Sequence, residues 1–490
     1  YTAVSLSELM FLEYDPAHCL PDNIASLFAD DLRLSLRSGV TQSEIDGLRA
    51  RLNSDEKNYY LNLETLEDEL NLAGELLSGS SRGVIVEGID TRSAGADASK
   101  YGQSGSDLQP LGAAAAANDE ITIYASGIPA GQKITVFATQ FNAEASAWRA
   151  QAGTLENGRN ILTIPKIGSQ NTPRGGSLYF TYSGPNPESI RLHVRRTTDI
   201  PLLDVSDWYG QTDSVLRDAI GAYVDELEAY VSAQGINSTN KLSNCMNVTE
   251  IATPMVLLSL PAAAVLDASG RSRSERVETL HQTILAWEDL LHICNTTQGI
   301  DNTYAKNDMQ SRQNIRCMQM FSGAFMYAAG NHVGIGYGSC GGMACGKPID
   351  SLAPNASANQ LFGWGIAHEI GHNMDKLGKA EITNNLYSLM AQTFDGKQNT
   401  LTSRLEASSK YKDIFTKVAQ GYPGDSNNVF VQLGLYWQLH LAYDDGDNPL
   451  DFYNRFFKAW KSGEHFQGAE SYADRFARTA SAVANRDLTE

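Results

Sequence analysis

The run His368-Glu369-Ile370-Gly371-His372 places two imidazoles and a carboxylate close together in the chain. On a helix, positions i and i+4 share a face, so both rings can reach one divalent ion. Glu369 projects beside the first ring, where it can take a proton from a metal-bound water as general base. Apolar Phe362, Ile366 and Ile370, with small Gly363, Gly365 and Gly371, frame a buried helix rather than a solvated one. A catalytic zinc ion takes three protein ligands and keeps one position open, so a third donor has to follow. One known spacing asks for Gly at 375 and His at 378; Asp375 and Gly378 stand there and exclude it. The other draws a glutamate from a following helix. Glu381, nine residues after His372, meets it if Gly378 stops the first helix and a short turn folds the second one back. Asn385, four residues after Glu381, or its neighbour Asn384, would then orient an imidazole through a side-chain carbonyl.

Two consecutive helices are needed to hold these groups, and apolar spacing predicts them over Leu361–Leu377 and Lys379–Gln392. Further helices are expected over Val215–Val231, Arg276–Cys294, Val431–Ala442, Leu450–Trp460 and Ala469–Ala484. Tyr436, His440 and Tyr387 lie on such helices and are candidates to stabilise a tetrahedral oxyanion. The Gly-rich stretch before the motif holds Val333-Gly334-Ile335-Gly336-Tyr337, which reads as an extended strand. A peptide substrate would add beside it as a further strand, with His332, Gly334, Gly336 and Tyr337 lining the groove. Trp364 is a candidate for stacking on a sugar ring, against packing behind the motif helix.

Upstream the pattern changes twice. Residues 1–95 read as helical over Leu6–Tyr14, Ile24–Arg37, Thr41–Leu52 and Tyr59–Leu77, with Thr41 and Glu44 spaced as a capping box. A Gly, Ser and Ala-rich stretch, about 96–117 and including Ala113–Ala117, reads as a linker. Short alternating strands follow around Ile121–Ile123, Ile134–Val136, Ile161–Ile164, Ser177–Tyr182 and Ile190–Val194. The expected fold is therefore α+β and multidomain: a helical N-terminal region (1–95), a β-sandwich with its preceding linker (96–199), and a mainly helical catalytic domain with a small β-sheet (200–490).

Composition narrows the partners. A formal net charge of −19 and a pI near 4.9 exclude the basic field that nucleic acid requires. The apolar segment Thr253–Leu266 is too short for a membrane span and contains Pro254 and Pro261. Tyr1 is not a natural start, so a processed or trimmed chain is expected. Six cysteines permit disulfides, with Cys340 and Cys345 placed to close a small loop, or equally to remain thiols.

The run Gly363–Asn373, followed by Glu381-Ile382-Thr383-Asn384-Asn385, resembles the M-60 peptidase family, which contains viral enhancins and bacterial mucin-degrading proteases. Its pattern is HExxH, at least eight residues, then a glutamate in this kind of context; Asn373–Ala380 supply the interval. Glu120–Tyr124 and Gly175–Tyr182 resemble the family's sandwich, and Tyr436–Ala442 with Phe452-Tyr453 its helical lobe. The resemblance spans about residues 105–490. It implies a gluzincin peptidase with one Zn2+ per chain on His368, His372 and Glu381. It further implies a secreted or surface bacterial enzyme, expected to be monomeric, that cuts mucin-type glycoproteins next to O-glycosylated Ser or Thr.

Overall fold

The structure is a computed structural model. It describes residues 19–488 except 103–104, 142–147, 168–174, 210, 301–308, 322, 350–359, 395–402, 422–426, 445–447 and 449. The expected helix Leu6–Tyr14 lies outside the described residues.

The N-terminal region is helical, as its periodicity suggests. Thr41 accepts the Glu44 N–H at the start of the helix Gln42–Leu52. Glu44 turns its carboxylate to Arg37 instead of completing the box. Ile24–Arg37 is not one helix. The helix Leu20–Ala25 stops there because Asp30 accepts the Leu34 and Ser35 N–H groups, favouring a turn over a helical ladder. The helix Leu63–Ser78 ends at left-handed Gly79. Arg159 and Arg195 tie it to the sandwich through Asp68 and Glu75.

Nine strands form the sandwich: β1 (Val84–Glu87), β2 (Gln109–Ala115), β3 (Glu120–Ser126), β4 (Ile134–Thr139), β5 (Arg149–Leu155), β6 (Gly158–Thr163), β7 (Gly176–Thr181), β8 (Arg191–Arg195) and β9 (Thr198–Asp199). One sheet runs β1-β8-β3-β6 and the other β5-β4-β7-β2-β9, every pairing antiparallel. Ala113–Ala115 are therefore strand, not linker. All seven positions of β2 are buried, and alanines lack the size contrast that makes period-two burial visible in a sequence. The stretch before β2 also contains the short helix Ala94–Tyr101 rather than a bare connection.

The rest of the chain wraps helices around a mixed sheet. Its strands are β10 (Leu202–Asp204), β11 (Thr249–Ala252), β12 (Val256–Leu260), β13 (Gln313–Cys317), β14 (Met326–Ala328) and β15 (Val333–Ile335), in the order β10-β11-β12-β13-β15-β14. The apolar stretch that includes Pro254 and Pro261 resolves into β12 and the helix Ala262–Ser269. A helix from Arg273 to Thr297, started by a capping box between Ser272 and Glu275, lies on the sheet. One large core joins this sheet to the helices Asp213–Ala233, Gly365–Met374, Val429–Tyr443 and Asp451–Ser462. No described helix is long and apolar enough to cross a membrane.

The sandwich and the mixed sheet meet over a smaller apolar cluster that includes Leu108, Trp148, Tyr179, Leu257 and Met318. At its centre the Tyr179 hydroxyl donates to Glu250 at 2.6 Å and lies 2.7 Å from the Ser259 hydroxyl.

Candidate metal centre

The helix Gly365–Met374 carries His368, Glu369 and His372. It is held close to the chain that follows it: a Cβ on Gly371 would lie 2.3 Å from the Asn384 carbonyl oxygen. Only glycine allows that approach, and it brings the next helix, Asn385–Thr393, against the histidine face.

Glu381 lies in the turn before that helix, not on it. Its φ of +66° is left-handed, a conformation costing about 1–2 kcal/mol for a residue with a side chain. Neighbouring bonds hold it there. Asn385 Nδ2 donates to the Glu381 carbonyl at 2.7 Å, and the Ile382 and Thr383 amides donate to Lys379 O at 2.9 Å. Nor does Gly378 stop the first helix, which ends at Met374 with Asp375 extended. Asp375 organises the connection: its carboxylate accepts from Leu377 N, Gly378 N and the Thr383 hydroxyl at 2.9, 3.1 and 2.6 Å.

The turn brings three donors together. His368 Nε2 and His372 Nε2 are 3.2 Å apart, and the two Glu381 oxygens lie 3.3 and 3.1 Å from them. Zinc takes imidazole nitrogen at about 2.0–2.1 Å, and a tetrahedron of that size has edges of about 3.3–3.4 Å. The donor set therefore fits such an ion in size and in chemistry. Among the described residues, His368, Glu369 and His372 also form a group whose potential ligand atoms all lie within 4.8 Å of one another. The smaller separations in the Glu381 set favour Glu381 over Glu369 as third donor. Asn385 Oδ1 sits 2.5 Å from His368 Nδ1 and accepts its proton, which turns Nε2 toward the other donors. Asn384 touches the same ring through Nδ2 at 3.2 Å, and its Nδ2 donates to the His368 carbonyl.

Glu369 is 9% exposed. Burial, then the negative charge of Glu381, pushes its carboxyl up to about 7, against the pull of a hydrogen bond from the Ala328 amide. A bound cation would draw it back down. Burial also lowers His372, with the neighbouring His368 ring adding to the effect.

The sheet edge beside this helix is β14, not the Val333–Tyr337 segment. β15 pairs with β13 on one side and β14 on the other, so its backbone is occupied. Gly334 serves packing: a Cβ there would lie 2.3 Å from the Tyr327 ring. His332 is buried, its Nε2 3.1 Å from the Tyr327 hydroxyl and its Nδ1 2.8 Å from Asn331 Oδ1. Burial and the charges of Arg316 and Arg149 hold it down to about 3. Gly336 and Tyr337 line a separate cleft of about 410 Å3 with Phe141, Lys241, Asn247 and Met320. Trp364 stacks edge-on against Phe430, with the Arg404 guanidinium 4.8 Å over each ring.

Each oxyanion candidate is hydrogen-bonded to a group outside the donor cluster. The Tyr436 hydroxyl lies 3.3 Å from that of Tyr472, and its ring packs on Phe476. His440 Nδ1 is 2.7 Å from Asp444, with its ring against Trp437. Tyr387 is fully buried and donates to Gln298.

Asp375, Asn373 and the Ala328 amide were not anticipated. Asn373 Oδ1 accepts the Gly330 N–H at 2.7 Å, tying the motif helix to the β14–β15 connection. The signal for Asp375 was its position three residues after the second histidine, inside the interval that leads to Glu381.

No curated protein sequence matches the chain. Among solved structures, it resembles the M60 catalytic domain of Clostridium perfringens ZmpB determined with two carbohydrate-binding modules, at 22% identity and a TM-score of 0.63. That likeness covers 84% of this chain and 40% of the ZmpB chain. It also resembles the C. perfringens ZmpC catalytic domain in complex with the sialyl T antigen, at 20% identity, a TM-score of 0.58, and coverage of 82% and 74%. A metallopeptidase from Bacteroides thetaiotaomicron matches over 99% of this chain and 74% of its own, at 17% identity and a TM-score of 0.65. These likenesses establish a shared α+β fold. The sequence itself matches the Peptidase M60, enhancin and enhancin-like model over residues 244–490, half of the chain, and the chain belongs to that family.

Proposed function

We propose that the chain is a zinc endopeptidase that cuts mucin-type O-glycosylated proteins next to glycosylated Ser or Thr, outside the cell. The observation that carries the zinc reading is the convergence of His368, His372 and Glu381 to separations of 3.1–3.3 Å. A zinc ion held there supplies Lewis acidity, acidifying a coordinated water and polarising the scissile carbonyl. Glu369 takes the proton of the attacking water on its carboxylate and returns it to the leaving amine. Asn385 keeps His368 in the tautomer that offers Nε2. The short edge strand β14 offers backbone groups to which an extended substrate pairs.

The glycan part is supported by the ZmpC domain having been solved with the sialyl T antigen. A second reading, peptidase activity without glycan dependence, is favoured by one observation. His332 and Trp364, the ring-bearing groove and sugar candidates beside the motif, are both engaged in packing. Digesting a defined O-glycopeptide and its unglycosylated twin, with mass mapping of the products, separates the two. Cleavage confined to the glycosylated peptide is expected; equal rates would remove the glycan requirement.

A further inference from the structure

The cleft of about 410 Å3 lies where the sandwich meets the mixed sheet, and the zinc chemistry does not use it. It sits at the carboxyl ends of β12, β13 and β15, which run parallel, so that Pro261, Met318 and Gly336 follow their strands into its wall. Such strand ends, and boundaries between domains, are where sheets hold ligands, and the volume is within the range of about 300–1,000 Å3 for ligand clefts. Its walls are fixed by hydrogen bonds. Gln319 N donates to Phe141 O at 2.8 Å, tying the sandwich side to the end of β13. Asn247 is buried; its Nδ2 donates to the Lys241 carbonyl and its Oδ1 accepts the Ala263 amide, each at 2.9 Å. That bond holds Lys241 at the cleft, with its ammonium 5.5 Å over the Tyr337 ring. Cys245 and Cys317 line the cleft as thiols; all six cysteines are unpaired, so no disulfide closes the loop expected between Cys340 and Cys345.

Charge and polarity point to the occupant. Lys241 is the single charge among the described lining residues, which include no carboxylate to neutralise it. Around it stand the Phe141 and Tyr337 rings with Met318 and Met320. That surface suits a short methylene stem ending in a carboxylate. It suits a sugar poorly, because several hydroxyls would need partners. Asn247 already engages both side-chain groups with backbone, and Asn244 Oδ1 accepts the Met246 amide. The cleft is also continuous with the start of the motif helix. Gly336 N donates to Phe325 O at 2.9 Å, and a Cβ on Gly365 would lie 3.6 Å from the Phe325 ring. Phe325 is 63% exposed, so a substrate strand that pairs with β14 and runs on past Met326 crosses this ring to reach the cleft. We propose that the cleft is a recognition subsite for an acidic side chain of the substrate polypeptide, a glutamate several residues from the cut. Its carboxylate meets Lys241 and its stem lies on the Tyr337 and Phe141 rings. The assignment rests on the peptidase reading and its β14 pairing.

The test reads binding without turnover. The full chain carrying Glu369→Gln and loaded with zinc is titrated into fluorescein-labelled O-glycopeptides, and anisotropy gives Kd. The parent peptide has glutamine at every position flanking the glycosylated residue, and each variant exchanges one of them for glutamate. Glutamate in one register should tighten binding about three- to tenfold, the size of a partly buried ion pair, and the gain should shrink as salt is raised. In other registers the net charge of −19 should make glutamate neutral or unfavourable, so the gain is not a general charge effect. Lys241→Met should remove the gain and leave the parent Kd unchanged, while Lys241→Arg should keep part of it. The register and salt dependence need no cleft variant to fold. The proposal is overturned if no register gains, if the Lys241→Met loss falls equally on the parent, or if the gain instead requires a sugar acid on the glycan. Absence of binding by every peptide overturns it too. If the peptides bind as expected but the wild-type enzyme cuts none of them, the peptidase reading fails and the subsite stands.

Discussion

Two buried carboxylates in this molecule are displaced alike and placed differently. Glu250, under the sandwich, is fully buried, and burial pushes it up to about 7. Glu369, in the motif helix, is also pushed up to about 7, by burial first and then by Glu381. Around Glu250 stand hydroxyls: Tyr179 donates to it, and Ser259 touches the same tyrosine. Around Glu369 stand two imidazoles, a second carboxylate and one backbone amide. A displaced carboxyl alone marks burial; metal-binding neighbours and an adjoining sheet edge mark a candidate base. Glu250 is the internal control for that inference.

The largest expected effect follows directly. Glu369→Gln should lower peptidase kcat by at least about 10²–10⁴-fold, the range for losing a general base, while metal content by mass spectrometry stays unchanged. Glu250→Gln, measured in parallel, should leave kcat within about twofold. A fully active Glu369→Gln enzyme would break the contrast at its centre. Next in size is the third donor. Glu381→Ala should weaken zinc binding by more than the roughly 10–100-fold typical of an outer hydrogen-bond partner. Asn385→Ala should fall within that range, since it removes the Nδ1 acceptor and the tie to the Glu381 carbonyl. Competition with a metal indicator orders the two variants, and a reversed order would mean that Glu381 is not a donor.

How much of this could be read in advance depends on how local each feature is. The i, i+4 pair needs only a helix, so His368 and His372 were legible. Ligand number led to Glu381, but not to its left-handed backbone, which depends on the Asn385 and Lys379 bonds around it. The sandwich and most C-terminal helices were legible because their apolar residues recur with the right period. Strand order was not. β14 is three residues long, pairs outside β15, and its Met-Tyr-Ala sequence carries no polar–apolar alternation. That is why Gly334 was assigned to a groove when it lies under Tyr327. His332 was placed in the same groove because the groups that enclose it, Trp148 just before β5 and Arg316 on β13, come from other parts of the chain.

The smallest effect tests the control from the other side. Glu250 has a folded value of about 7 and an ordinary value of 4.5. Between those values the folded chain holds a proton that the unfolded chain has released. Stability therefore falls as pH rises through that window and levels off above it, by at most about 3 kcal/mol for this group. Glu250→Gln removes the titration but keeps an oxygen to accept from Tyr179. Its unfolding free energy, measured by denaturant titration from pH 4 to 8, should decline less steeply than that of the wild type. The decline should not vanish, because Glu288 is buried and raised to about 7 in the same direction. Differences between the two proteins at each pH cancel contributions from groups the substitution does not touch. Parallel curves would mean that the Tyr179–Ser259 network already holds Glu250 ionised. Its likeness to Glu369 would then be only apparent, and the contrast between the two sites would rest on charge state rather than on neighbours.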